Sequence, residues 1–141
     1  MDGFSFSTEV RVRFAETDAQ GIAHHGSFVV WLEVARVSYL AEHAGGYQAI
    51  RERGLEALTT EVCLRYHRAV YFDETLRVWA RCGDVRGARF TYEYRIERNG
   101  EPVADGYTRH AVVDRETYRP TRVPDWLVSA IVTAEASSSP S

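Results

Sequence analysis

The chain has 141 residues, 45% hydrophobic and 26% charged, with 17 cationic residues, all arginine, against 20 acidic ones for a formal net charge of −3. That is the composition of one ordinary soluble globular domain, long enough to bury roughly two-thirds of its unfolded surface without disulfides or a structural metal. A mildly acidic total argues against a general nucleic-acid binder, which needs concentrated cations to release counterions from phosphates, and Cys63 and Cys82 have no zinc-ribbon or disulfide-framework spacing.

The first residues, Met1 to Val10, hold no basic segment followed by an apolar one, so no secretory leader is expected. The longest apolar stretch, from Phe28, is broken by Glu33 and Arg36 and falls short of the ~20 residues of a spanning helix. A reducing, cytoplasmic setting is the expectation. Phe4, Phe6, Val10, Val12 and Phe14 alternate with polar residues and predict a first strand. Ala15 to Gly26 follows with no sustained period, two glycines and two adjacent histidines, and reads as a functional loop. Ser27 is the expected N-cap of a helix running to about Ala44, stopped by Gly45 and Gly46. This helix is apolar on nearly every side, including Val29, Val30, Val34 and Val37, so burial nearly all round is expected. Glu33 and Arg36, spaced i, i+3, are expected to pair.

A short amphipathic piece, Tyr47 to Arg53, precedes a change to period two. Val62–Tyr66, Leu76–Cys82 and Phe90–Ile96 alternate as half-buried antiparallel strands. Asn99 and Gly100 both tolerate positive φ and mark a hairpin into a strand from Pro102 to Asp114. A short helix is expected over Asp125–Thr133, ending a single domain over residues 1–134. Residues 135–141, serine-rich, read as a disordered tail. A long apolar helix and strands with one apolar face each predict an α+β fold, a curved antiparallel sheet wrapped around the helix.

Chemistry is expected where the loop meets the helix. The first N–H groups of a helix lack intrahelical partners and sit at its positive dipole end, which suits a developing oxyanion. Asp18, on a loop that Gly21 and Gly26 allow to fold back, would add a carboxylate as nucleophile or general base. The bland alternative is that Asp18 caps its own turn, as most loop aspartates do. The catalytic reading fails if this carboxylate turns away into bulk water or is walled off from every cavity. His24 and His25, being adjacent, point apart and do not suit one metal; His25 is placed to donate into the same pocket or to orient water, or else is a plain surface histidine. Arg86 and Arg89 around Gly87, and Arg115, Arg119 and Arg122, offer planar forks for phosphates, unless they are merely solvated or paired. The chain has no GxSxG, GxxxxGK[ST], HExxH or GxGxxG motif.

The run from Val12 to Phe28, containing Glu16-Thr17-Asp18, Gly21, His25 and Phe28, followed by Trp31-Leu32-Glu33-Val34-Ala35-Arg36, resembles the signature of hotdog-fold acyl-CoA thioesterases of the 4-hydroxybenzoyl-CoA thioesterase family. The similarity continues more weakly through Tyr71–Val78, Val85–Phe90 and Arg119–Pro124. It implies hydrolysis of an acyl-CoA or carrier-bound thioester in a homodimer or homotetramer with sites between subunits, and no metal or redox cofactor. Carried over by position, it implies catalytic roles for Asp18 and His25 and an oxyanion site at the N–H groups of Gly26 and Ser27. Trp31 would contact the acyl group, and Arg86, Arg89 and Arg122 the phosphates of CoA. His24 departs from the aromatic residue common at that position. A non-catalytic acyl-CoA-binding module and a hydroxyacyl-thioester dehydratase are the alternative functions.

Overall fold

The period-two segments become one five-stranded antiparallel sheet in the computed structural model, which describes residues 3–136. Strands β1 (Phe6–Arg11), β2 (Leu55–Tyr66), β3 (Thr75–Arg86), β4 (Arg89–Arg98) and β5 (Glu101–Asp114) lie in the order β1-β3-β4-β5-β2. Helices α1 (His25–His43), α2 (Gly46–Glu52) and α3 (Asp125–Ala136) complete the fold. Asn99 and Gly100 have φ of 51° and 80°, the left-handed pair expected of a tight hairpin between β4 and β5.

One sheet face presents Leu76, Val78, Ala80, Cys82, Phe90, Tyr92, Tyr94 and Ile96, all buried. Against this core lies α1, through Phe28, Trp31, Leu32, Ala35, Tyr39 and Leu40, spaced for one helical face. Burial of a side chain such as Phe28, Leu32 or Leu40 contributes about 1.5–3 kcal/mol. The other half of α1 is not covered: Val30, Val34 and Val37 are 45%, 38% and 44% exposed. The expectation of burial on nearly all sides is therefore corrected for the single chain, whose sheet reaches only one side of the helix.

Three further expectations change. His24, not Ser27, is the N-cap of α1, because Ser27 turns its hydroxyl back to donate to the carbonyl of Glu16 at 2.9 Å. Glu33 and Arg36 do not pair; Glu33 faces solvent while the buried Arg36 donates to the Tyr94 hydroxyl at 3.3 Å. Glu135 and Ala136 belong to α3, where the Glu135 carboxylate accepts hydrogen bonds from the Tyr39 hydroxyl and the Cys82 N–H. The rest of the expected tail, 137–141, lies outside the described residues.

The first strand ends at Arg11, and Phe14–Glu16 forms one 3-10 turn leading into the loop. Glu16 fastens that loop to α1. Its buried carboxylate accepts the Arg13 N–H at 2.8 Å, the Arg13 guanidinium at 3.2 Å and the Trp31 indole N–H at 2.9 Å. Its carbonyl accepts the His24 N–H at 2.9 Å as well as the Ser27 hydroxyl. Burial alone would raise the Glu16 carboxyl, but the hydrogen bonds from Arg13 and Trp31 outweigh it and hold the group below the ordinary glutamate range.

A depressed folded-state pKa gives stability that is present above the unfolded value and lost as pH falls through the folded one. Glu16→Gln should therefore cost ~1–3 kcal/mol at neutral pH, as expected for hydrogen bonds to a charged group. The gap to the wild type should begin to narrow as pH falls below the unfolded glutamate value of roughly 4.3, and close only once pH has passed below the depressed folded value. Urea unfolding at pH 7 and pH 3.5 checks this. Gly106, where an added Cβ would lie 2.0 Å from the Cys63 carbonyl oxygen, should lose at least about 2 kcal/mol on change to Ala. Gly83→Ala, with open space at that position, should be neutral or slightly stabilising in the same assay.

Candidate active site

The loop from Thr17 to Ala23 closes on itself and on the β2–β3 connection. Thr17 bridges Ala23, Ile22 bridges Tyr71, and the Ala23 N–H donates to the carbonyl of Val70 at 2.8 Å. Gly21 has a φ of 79°, a value that a residue with a Cβ rarely adopts, and lets the chain reverse. At the tip the Asp18 N–H donates to Ile22, and Asp18 Oδ1 accepts the N–H groups of Gln20 at 2.8 Å and Ile22 at 3.1 Å. The turn-capping role is thus real, but it occupies one oxygen. Oδ2 accepts no hydrogen bond among the described residues, and the side chain is exposed.

His25 is the first residue of α1. Its ring stacks on Tyr66, with centroids 4.2 Å apart and planes 18° from parallel, and its carbonyl accepts the Tyr66 hydroxyl at 3.1 Å. Phe28 meets the same tyrosine edge-on at 5.0 Å. Burial raises the Tyr66 phenol, which therefore stays protonated as a donor. These residues, with Ile22, Ala23 and Val70, line a cleft of about 260 Å³ at the start of α1. The cleft pairs apolar walls with an imidazole and a helix N-terminus, which suits an uncharged carbonyl compound with an apolar substituent.

The residues singled out in the sequence are brought together in part. Asp18, His25 and Gly26 share one loop–helix junction. The Ser27 N–H is already donated to the His24 carbonyl at 3.0 Å, leaving Gly26 the freer of the two expected oxyanion donors. In one chain Asp18 does not line the cleft and meets water, the arrangement under which the catalytic reading was expected to fail, so that reading fails for an isolated chain and requires a cover that one chain does not supply. Trp31, expected beside the acyl group, is instead 2% exposed and held by Glu16. Arg86 and Arg89 lie at the β3–β4 hairpin, with Arg86 donating to Asp84 at 2.7 Å. Arg122 adjoins Val123, whose N–H donates to the Gly87 carbonyl. His25 stacks on Tyr66, which stands level with Ala104 and Ile96, so the hairpin lies seven residues, or roughly 23 Å at ~3.3 Å per residue, farther along β4. Within one chain these arginines do not line the cleft.

Sequence reasoning gave no individual role to Tyr66 or Glu16. The first looked like an ordinary alternating strand residue, and the second is marked only by its place in the Glu16-Thr17-Asp18 run. It also passed over a buried polar chain from Arg36 through Tyr94 and Thr108 to His110. Burial first, and then the charge of Arg36, push His110 down to about 3, so it is neutral and structural at ordinary pH.

Residues 12–131 match the thioesterase-like superfamily. The chain is 30% identical over 124 residues to the acyl-CoA thioesterase YbgC of Haemophilus influenzae, covering 87% of this chain and 90% of that one. Among solved structures, the DHNA-CoA thioesterase of Staphylococcus aureus superposes with a TM-score of 0.83 at 28% identity, over 92% of this chain and 90% of that one. The Thermus thermophilus protein TT1821 superposes with a TM-score of 0.84 at 32% identity, over 91% and 98%. The fold, one five-stranded antiparallel sheet packed against one side of a long helix, and the match across most of the chain agree: this protein belongs to the thioesterase-like superfamily and has the hotdog fold.

Proposed function

We propose that the chain is an acyl-CoA thioesterase that hydrolyses a thioester to a free acid and CoA. The single observation that carries the reading is the cleft at the start of α1, where a helix N-terminus and His25 stand beside apolar walls on the loop that also bears Asp18. The names of its relatives, among them acyl-CoA thioesterase and 1,4-dihydroxy-2-naphthoyl-CoA hydrolase, support the same chemistry.

In this reading the thioester carbonyl oxygen takes the Gly26 N–H, and the helix dipole favours the charge that develops there. The Asp18 carboxylate adds to the carbonyl carbon, or takes a proton from a water that does so. Collapse of the tetrahedral species breaks the carbon–sulfur bond and releases the CoA thiolate. On the direct route, water then hydrolyses the acyl–aspartyl anhydride, and the carboxylate returns unchanged. His25, held by Tyr66, orients water or donates a hydrogen bond to the reacting groups. No metal or redox step is needed for this balance.

Asp18 must also be shielded from bulk water, and a second copy of the chain is the proposed cover. Two features support a homodimer or higher homo-oligomer. Strand β2 is a sheet edge of 12 residues whose outer side pairs with no other strand among the described residues, and the exposed Val30, Val34 and Val37 form a stripe along α1. A partner on these surfaces would lie over the start of α1 and bring its own β3–β4 arginines toward it.

Free-thiol release from a panel of aromatic and aliphatic acyl-CoAs tests the activity and finds the acyl group. Asp18→Asn should bind substrate yet turn over at least ~100-fold more slowly, the loss expected of a missing base or nucleophile. His25→Ala, measured beside it, should lose kcat as well. Unchanged turnover in Asp18→Asn would move the chemistry elsewhere, and a folded wild type that binds acyl-CoA without hydrolysing any would favour a binding module. Replacing Val34 and Val37 together by Glu should shift the assembly to monomer in sedimentation, because burying unpaired carboxylates is costly, and should abolish hydrolysis while the chain stays folded.

A further inference from the structure

The reading as an acyl-CoA thioesterase leaves open which acyl group is cleaved, and the following inference rests on that reading. The cleft at His25 continues along the inner face of β2, where Tyr66, Leu64 and Val62 alternate onto one side. Tyr66 and Val62 are exposed and Leu64 is half-buried. On α1, Val29 and Glu33 are exposed on one flank, and Arg36 follows Val29 on that flank two turns later. Hydrogen bonds run from Arg36 through Tyr94, Thr108 and His110 to the Thr59 hydroxyl on β2, so this is the flank turned toward β2. A largely apolar strip thus leads from the cleft between α1 and β2.

The strip runs toward a buried charge that has no counter-ion. Arg36 is only 7% exposed. Its Nη1 donates to the Tyr94 hydroxyl at 3.3 Å, the Tyr47 hydroxyl stands beside it, and its buried Nε has no hydrogen-bond partner. No carboxylate comes within ion-pair distance of it among the described residues, since Glu33 turns to solvent. Its neighbours supply no negative charge either: burial pushes the Tyr94 phenol up, and His110 is neutral. A guanidinium keeps its proton even when buried, and an isolated buried charge is costly until an opposite one arrives.

Strand register gives the depth of that charge. Tyr94 is level with Leu64, and Thr108, bonded to Tyr94, is level with Val62. Those rungs lie roughly 7 and 13 Å beyond Tyr66 at ~3.3 Å per residue. Helical side chains lean toward the N-terminus of their helix, so Arg36 reaches back toward the cleft. We propose that Arg36 is the specificity residue at the far end of the acyl site, where its fork receives a carboxylate carried on the distal end of the acyl group. The substrate class is the CoA monothioesters of dicarboxylic acids, held by the start of α1 at the thioester and by Arg36 at the free acid.

The test measures thiol release from ω-carboxyacyl-CoAs of increasing length and from the unsubstituted acyl-CoAs of the same lengths. In the wild type, kcat/KM should favour the carboxylated member at least ~10-fold at one optimum length, because a site built for a polar group rejects the analogue lacking it. Arg36→Met, similar in bulk and uncharged, should remove that preference, and Arg36→Lys, which keeps the charge but not the fork, should hold part of it. A variant that merely packs badly lowers both substrates together and leaves their ratio as it was. A wild type with no preference at any length overturns the proposal, as does a preference that survives in Arg36→Met. If the wild type hydrolyses none of these compounds, the thioesterase reading fails separately. Calorimetry of the intact acyl-CoAs then still decides the site: tighter wild-type binding of the carboxylated member, lost in Arg36→Met, supports it, and equal, absent or unaltered binding overturns it.

Discussion

A single buried carboxylate joins the parts of this molecule that chemistry needs. Glu16 ties the end of the first strand to the indole of Trp31 on the central helix, and its carbonyl holds both the helix N-cap and Ser27. Without that clasp, the segment from Thr17 to His24 would be directed by its own turn and by its contacts with Val70, Tyr71 and Phe72. With it, the aspartate, the first helical amides and the imidazole of His25 keep fixed positions relative to one another. Positioning of this kind matters because reacting groups must meet within a few tenths of an ångström, and a loop alone is a poor support for them.

The second constraint is the uneven coat of the helix. A five-stranded sheet covers one side of α1 and leaves a valine stripe on the other, beside the free edge of β2. Those two surfaces and the water-facing Asp18 are what the proposed second copy of the chain would enclose. The same enclosure would lower the local dielectric and strengthen the pull of the helix N-terminus on a developing oxyanion.

Much of the fold was legible because its signals are local. Alternation from Leu76 to Cys82 and from Phe90 to Ile96 marks strands whichever neighbours they find, and Asn99-Gly100 marks a turn through backbone conformation alone. The loop–helix motif was legible as a unit too, including Asp18 and His25. What failed to show was long-range. The pattern around Val30 to Val37 says that a surface is apolar and not what covers it. Ser27 has the chemistry of an N-cap, yet an acceptor eleven residues earlier claimed its hydroxyl. Arginines near in sequence gathered at the end of the sheet away from the cleft.

The central claim is that a thioester carbonyl rests on the start of α1 with Asp18 facing it. Infrared difference spectra of a carbonyl-labelled acyl-CoA bound to Asp18→Asn test this at the reacting bond itself. A carbonyl stretch at lower frequency than the same thioester shows in water is the predicted result, since the helix amide would polarise the bond more than solvent does. A stretch at or above the aqueous frequency would mean that no such donor meets the carbonyl, and would contradict the account.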